Sequence, residues 1–354
     1  MRGLLFALGE GVMEITGLLF RQMLVLFAMM VTGFLAFRRG IFGKTGQREI
    51  SALIVRILNP FLMISSILAN AGDAGGPVLL QNLAMVGIYY ALLIVVSFVY
   101  VRLRRFPDRD KCLQQLMLVL SNIGFLGIPV VRAVYGPQYV LYVVFYMLVF
   151  NVLAYTYGIY LASGLTKDRT EETAAKTSAE RHLSESAAEA STGQHLSKSQ
   201  ASAPRRFEPR RIINIGTISS LIAILLFLFR PPVPAPVQDF CTYMGNACIP
   251  LSMILIGGSL AQLPLREIFR VPENYIFTIL KMLVIPAAGI LLFRGLPFDE
   301  EVKRVFYLLL SMPVASLAGM LAEEYGGSGN EINKVTAMTT IVSVVTIPLL
   351  ALLY

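Results

Sequence analysis

Two short stretches hold the residues with most chemistry to offer: SNIGFLGIP at 121–129 and SMPVAS at 311–316. The first brings Ser121, Asn122, Gly124, Gly127 and Pro129 into an otherwise apolar run, and the second brings Ser311, Pro313 and Ser316. Glycine and proline are the residues least suited to an uninterrupted helix. A proline at the first position of a new helix costs nothing, because its missing N–H and fixed φ suit that place. Pro129 and Pro313 are therefore read as the starts of half-helices, each leaving unpartnered N–H groups in its first turn. Such a turn carries roughly half a positive charge. It suits an anion, above all a carboxylate. The neighbouring side chains add hydroxyl and amide donors, and the glycines allow backbone to approach closely.

The elements that must hold these stretches are membrane helices. The chain has 354 residues, 56% apolar and 15% charged, with a mean hydropathy of +0.67. That composition lies outside the soluble range. A helix crossing the ~30 Å hydrocarbon core needs about 20 apolar residues. Such runs are read at 18–37, 50–69, 79–101, 113–134, 139–161, 212–229, 238–261, 275–293, 304–322 and 335–353. An all-α polytopic membrane protein with ten transmembrane helices follows, since helices satisfy their own backbone in lipid. The alternating strands of a barrel are missing.

Charge distribution gives the orientation. Loops 38–49, 102–112, 162–211, 262–274 and 323–334 carry 4, 5, 9, 2 and 1 Lys and Arg residues, whereas the opposite side has Arg2, Arg230, Arg294 and Lys303. Even without the longest loop the bias places the basic loops in the cytoplasm and both termini outside, in a cell membrane. The formal charge of +8 is thus a topology signal, and nucleic acid is not an expected partner. Residues 162–211 are rich in Ser, Ala, Thr and charge, and read as a disordered cytoplasmic linker between repeats 1–161 and 212–354. Both histidines, His182 and His195, fall within it.

The halves resemble each other. NPFLMISSILANAG from Asn59 matches IPLSMILIGGSLAQ from Ile249, aligning Pro60 with Pro250, and LGIPVVRAVYG matches LSMPVASLAGM, aligning Pro129 with Pro313. With five spans in each half, the second enters the membrane from the opposite side. That makes an inverted 5+5 repeat, an architecture of secondary transporters in which broken helices meet at the midplane.

Ionisable residues inside spans are expensive and mark function. Lys281 suits the negative charge of a substrate or the break in span nine, and its stem could equally snorkel to the interface. Arg132 could reach outer headgroups or a substrate, and Arg56 a backbone carbonyl. Asn151 and Asn59 fit either hydrogen bonding to the broken segments or interhelical contact. No Asp or Glu occupies the middle of a span, so a cation cage for sodium coupling is not evident. Neither His nor a paired Asp occurs in the spans, so no enzyme mechanism, metal site or cofactor is expected. The alternative to a carrier is a sensor or regulatory scaffold that signals through the linker.

SNIGFLGIP, CIPLSMILIGGSLA at 248–261 and SMPVASLAGMLAEEYG at 311–326 resemble the auxin efflux carrier family, in its bacterial malate-permease-like branch. The resemblance covers all ten spans. Relation to the plant PIN-type carriers implies a fold like the bile acid sodium symporters, with spans four and nine crossing at their breaks. It implies a transport domain of spans 3–5 and 8–10 and a scaffold of spans 1, 2, 6 and 7 that forms a homodimer. It implies elevator-type export of a small organic anion bound at the crossing, with Asn122, Pro129, Ser311 and Pro313 carried over. The acidic support residues of the plant carriers have no counterpart here at matching depth.

Overall fold

The computed structural model describes residues 2–68, 76–164, 214–263, 268, 270–325 and 329–353. The linker expected at 162–211, with His182 and His195, lies outside the described residues apart from its first three positions. Every regular element among the described residues is helical. In chain order they are α1 (Arg2–Arg38), α2 (Lys44–Leu68), α3 (Gly76–Arg104), α4 (Asp108–Val119), α5 (Ile123–Tyr135) and α6 (Pro137–Gly164). The second part continues with α7 (Ile215–Phe229), α8 (Ala235–Ala261), α9 (Pro272–Phe293), α10 (Glu300–Leu310), α11 (Ser316–Glu324) and α12 (Gly329–Leu350).

Among the described residues, seven helices are long and apolar enough to cross a bilayer: those of α1, α2, α3, α6, α8, α9 and α12. Their outward faces carry exposed Val95, Phe98, Leu291 and Leu292, and α7 adds Leu228 and Phe229, a surface that water would not tolerate and lipid would. The chain is a multi-pass, all-helical membrane protein. The remaining helices are short. The described part of the sixth expected span, α7, has 15 residues, about 22 Å of rise.

Local sequence explains several ends. α10 starts at Asp299, whose carboxylate accepts from the Glu301 amide, and Glu300 and Glu301 follow in its first turn, where the helix dipole favours acids. α7 starts at Asn214, whose side chain accepts from the Thr217 amide. Its last turn closes at Arg230, in the left-handed region at φ 43, ahead of Pro231 and Pro232.

Prolines shape the helices in a recurring way. Pro60, Pro129 and Pro286 each stand two residues beyond a five-residue π-turn, at Ile54–Leu58, Ile123–Gly127 and Leu280–Val284. A proline cannot donate to the carbonyl four residues back. The wider turn instead lets Asn59, Ile128 and Ile285 bond the carbonyls of Ile54, Ile123 and Leu280, five residues back. The helices continue through all three prolines.

α8 lies between α1 and the second half of α2. Small residues permit the α1–α8 contact: a Cβ on Gly257 would sit 1.9 Å from the Met30 carbonyl oxygen, and one on Gly33 2.2 Å from that of Ile254. The deepest core runs through the end of α4, the start of α5 and the end of α10, where Leu118, Ser121, Ile123, Ile128, Leu310, Ser311, Met312 and Val314 are buried.

Candidate functional site

Both sequence stretches lie where a helix stops and another starts. α4 ends at Val119, Leu120 is extended, and Asn122 takes φ −77 and ψ 61 before α5 begins at Ile123. α10 ends at Leu310, and α11 begins at Ser316 after Ala315 at φ −74 and ψ 136. The two interruptions pair with each other. Ser121 forms an antiparallel bridge with Val314, the Asn122 amide donates to the Pro313 carbonyl at 2.8 Å, and the Ala315 amide donates to the Leu120 carbonyl at 2.8 Å. Backbone groups that a broken helix leaves exposed are thus satisfied across the break. Because the paired segments run antiparallel, α5 and α11 leave the pair in opposite directions, with their first turns flanking it.

This register differs from the motif alignment. Pro129 does not begin a half-helix: the helix starts six residues earlier, at Ile123, with Asn122 as its cap accepting from the Phe125 amide at 3.3 Å. Pro313 lies within the extended segment, and its carbonyl, unaffected by the absent N–H, is the acceptor in the pair. The break is displaced from Pro129 because the π-turn absorbs the proline.

Lys281 is completely buried, with 0% exposure, and its Nζ donates to the Leu118 carbonyl at 2.9 Å and to Ser121 Oγ at 2.6 Å. Its partner is thus the break between α4 and α5. The break between α10 and α11, to which sequence reasoning offered it, is served instead by Tyr89, whose hydroxyl donates to the Leu309 carbonyl at 3.2 Å. Thr339 of α12 adds a hydroxyl that accepts from the Val314 amide at 3.3 Å.

The other expected residues divide. Gly127 admits α10 closely, since a Cβ there would lie 3.1 Å from a Leu309 methyl carbon, whereas a Cβ on Gly124 would make ordinary contact with Met147. The Ser311 hydroxyl turns back to the Tyr307 carbonyl at 2.9 Å. Asn151 packs on Gly216 in the first turn of α7, and its Nδ2 is buried without a partner. Arg132 Nη2 donates to Asn246 Oδ1 of α8 at 2.8 Å rather than reaching a headgroup. Asn59 accepts from the Cys248 thiol at 3.4 Å, tying α2 to α8.

A cavity of about 580 Å³ opens beside the pair. It is walled by α2, the end of α8, α11 and α12, and it reaches Phe125 in the first turn of α5 and Ser316 in the first turn of α11. Lys44, Arg48 and Arg56 line it against a single carboxylate, Glu323. Asn333 donates to Glu323 Oε1 at 3.3 Å, and the three cations outnumber that one carboxylate. Arg56 is exposed here, and among the described residues it has no carbonyl partner of the kind expected. Polar walls come from Gln47, Ser259 and Gln262, which hydrogen-bond one another, and from Thr336 and Thr340. Thr336 Oγ1 is itself buried with no partner. Sequence reasoning passed over Lys44, Arg48, Glu323 and Asn333 because it assigned them to loops. The only signal for Lys44 and Arg48 was the local density of positive charge. No group of acids, histidines or cysteines among the described residues could hold a metal ion.

Comparison with known proteins sets the chain among membrane transporters. The family profile described as "Membrane transport protein" matches residues 18–351. An uncharacterized transporter of Methanothermobacter thermautotrophicus is 23% identical over 332 residues, covering 92% of this chain and 95% of its own. An uncharacterized transporter of Saccharomyces cerevisiae is 42% identical over 65 residues, 17% of this chain and 11% of its own. Spans able to cross a bilayer, a polar cavity at paired helix interruptions, and a family match over nearly the whole length converge: the chain belongs to the membrane transport protein family of auxin efflux carriers, and it is a multi-pass membrane transporter.

Proposed function

We propose that the protein exports a small organic anion, a mono- or dicarboxylate, by elevator-type alternating access, with the substrate held beside the Ser121–Val314 pair. One observation carries this reading: the cavity that reaches the first turns of both α5 and α11 is lined by three cationic side chains and one acidic one. Helix starts and basic side chains attract the same ligand, an anion. Asn122, Gly124, Gly127, Pro129, Ser311, Pro313 and Ser316 then form or support the floor of the site, Lys281 holds it together, and Lys44, Arg48 and Arg56 draw the substrate in.

On this reading α4 with α5 and α10 with α11 are the fourth and ninth of ten spans in an inverted repeat, crossing where they break. Spans one, two, six and seven, here α1, α2, α7 and α8, form the scaffold, and the contacts of α8 with α1 and α2 favour that grouping. The cavity wall then divides between scaffold (α2, α8) and transport domain (α11, α12), the boundary along which an elevator slides. The reading places the protein in the cell membrane with both termini outside, the linker in the cytoplasm, and a homodimer through the scaffold. Asn151, against α7, becomes a contact at the domain boundary.

An inside-negative potential drives an anion outward by about 2.3 kcal/mol per charge per 100 mV, so export needs no coupled ion. The test is flux from proteoliposomes loaded with labelled mono- and dicarboxylates, with the potential clamped. Faster efflux as the lumen becomes more negative is the expected result. Movement of cationic or neutral solutes alone, with every carboxylate retained, would overturn the proposal.

A further inference from the structure

The interrupted helices carry partial charges of two signs, and the substrate reading uses only one of them. Starts of helices are electropositive and ends electronegative. At the end of α4 the Leu118 carbonyl and the Ser121 hydroxyl converge within 2.9 Å and 2.6 Å of one atom, the Nζ of Lys281. Carbonyl oxygens at the end of a broken helix, together with a hydroxyl, are the ligands with which inverted-repeat carriers hold a small coupling cation.

The equivalent place in the other half shows what a merely structural donor looks like. The Leu309 carbonyl, at the end of α10, receives the neutral hydroxyl of Tyr89. A phenol therefore suffices to satisfy such a carbonyl. Lys281 brings an amine, a full charge when protonated, into a place with 0% exposure, and no carboxylate among the described residues pairs with it. Burying an unpaired ammonium is costly. Its position on a π-turn, followed by Pro286, fixes the helix segment from which the side chain reaches across to α4.

We propose that the Lys281 ammonium is a resident cation: it fills, with a charge tethered to the chain, a monovalent-cation site formed by the Leu118 carbonyl and the Ser121 hydroxyl. The crossing is then held together in every turnover without a free ion. Removing the tether turns the same oxygens into a vacant site for sodium, lithium or methylammonium.

The test compares thermal unfolding of the purified full-length protein in choline chloride with that in sodium, lithium or methylammonium chloride. Its first readout uses no transported anion, so its failure is distinct from a failure of the carboxylate reading. Wild type should melt at one temperature in all four salts. Lys281→Ala should melt lower in choline and recover by several degrees, dose-dependently, in at least one small cation. Lys281→Met, a neutral side chain of similar reach, should stay destabilised relative to wild type in choline. Recovery of Lys281→Ala as folded protein only when it is purified with the small cation would also support the proposal. Lys281→Met as stable as wild type in choline, or a folded Lys281→Ala with the same melting temperature in all four salts, would overturn it.

Discussion

The amide of Asn122 donates to the carbonyl of Pro313 at 2.8 Å, joining two chain segments that are 191 residues apart in sequence. The bond is made by backbone, so it survives a change of side chain at position 122. The Asn122 side chain has a separate task, accepting from the Phe125 amide at 3.3 Å as cap of α5. Replacing a capping residue by alanine costs about 1 kcal/mol. Asn122→Ala should therefore fold and lose only a few degrees of melting temperature, while carboxylate flux in proteoliposomes drops far more than that loss explains. Flux equal to wild type would remove Asn122 from the site.

The α1–α8 contact makes a prediction about stability alone. Gly257→Ala puts a methyl group 1.9 Å from a backbone oxygen of Met30, a clash that only helix separation relieves. Overpacking of this kind costs about 1–3 kcal/mol. Gly87 of α3 is a control, because a Cβ there meets nothing within 4 Å and alanine is the better helix former. Melting in detergent should fall for Gly257→Ala and hold or rise for Gly87→Ala. Equal behaviour of the two would show that α1 and α8 do not meet as described.

Arg132 Nη2 and Asn246 Oδ1, 2.8 Å apart, tie α5 to α8, elements that the elevator reading assigns to opposite sides of the sliding boundary. On that reading the bond must break as the domain slides, so removing it shifts the population away from the conformation with the cavity open. A hydrogen bond to a charged group is worth about 1.5–3 kcal/mol, enough for a shift of tenfold or more. Ser51 of α2 lines the cavity, is partly exposed and reports on it. In a background with Cys112, Cys241 and Cys248 replaced, maleimide labelling of Ser51→Cys should slow when Arg132→Ala is added. Unchanged labelling would show that the bond does not bias the two states.

The cationic mouth predicts a dependence on ionic strength. Lys44, Arg48 and Arg56 face the same cavity, and charges at its mouth act on an approaching anion through water. Screening shortens that reach to about 8 Å at 0.15 M salt and about 3 Å at 1 M. Arg56→Gln and Arg48→Gln should each raise KM for a carboxylate at low salt, with a smaller change in kcat, and the differences from wild type should shrink as salt rises. Identical salt profiles for wild type and variants would detach these residues from substrate capture.

Much of this was legible in the sequence because the signals are local. Apolar runs of bilayer length, the interruptions near 121–129 and 311–316, and the presence of a lysine within an apolar span all depend on the chemistry of a residue and its near neighbours. Partner identity is a different kind of information. Which oxygen Lys281 meets, and whether Ser121 faces Val314 or Pro129 faces Pro313, depends on how helices far apart in the chain slide and rotate against each other. The motif alignment matched prolines, but a π-turn before Pro129 moved the break by six residues, and nothing in the residue types announces that turn.

By itself, then, the sequence determined that the chain crosses a membrane as helices and that two of its apolar runs are interrupted by residues that break helices. Only the tertiary structure decided that the interruptions pair antiparallel, that Lys281 closes the end of α4, that Asn151 packs on α7, and that Lys44, Arg48 and Arg56 converge on one cavity. The physical reason is that a missing N–H or an apolar side chain acts where it stands, whereas register and convergence arise only when helices distant in sequence are packed together.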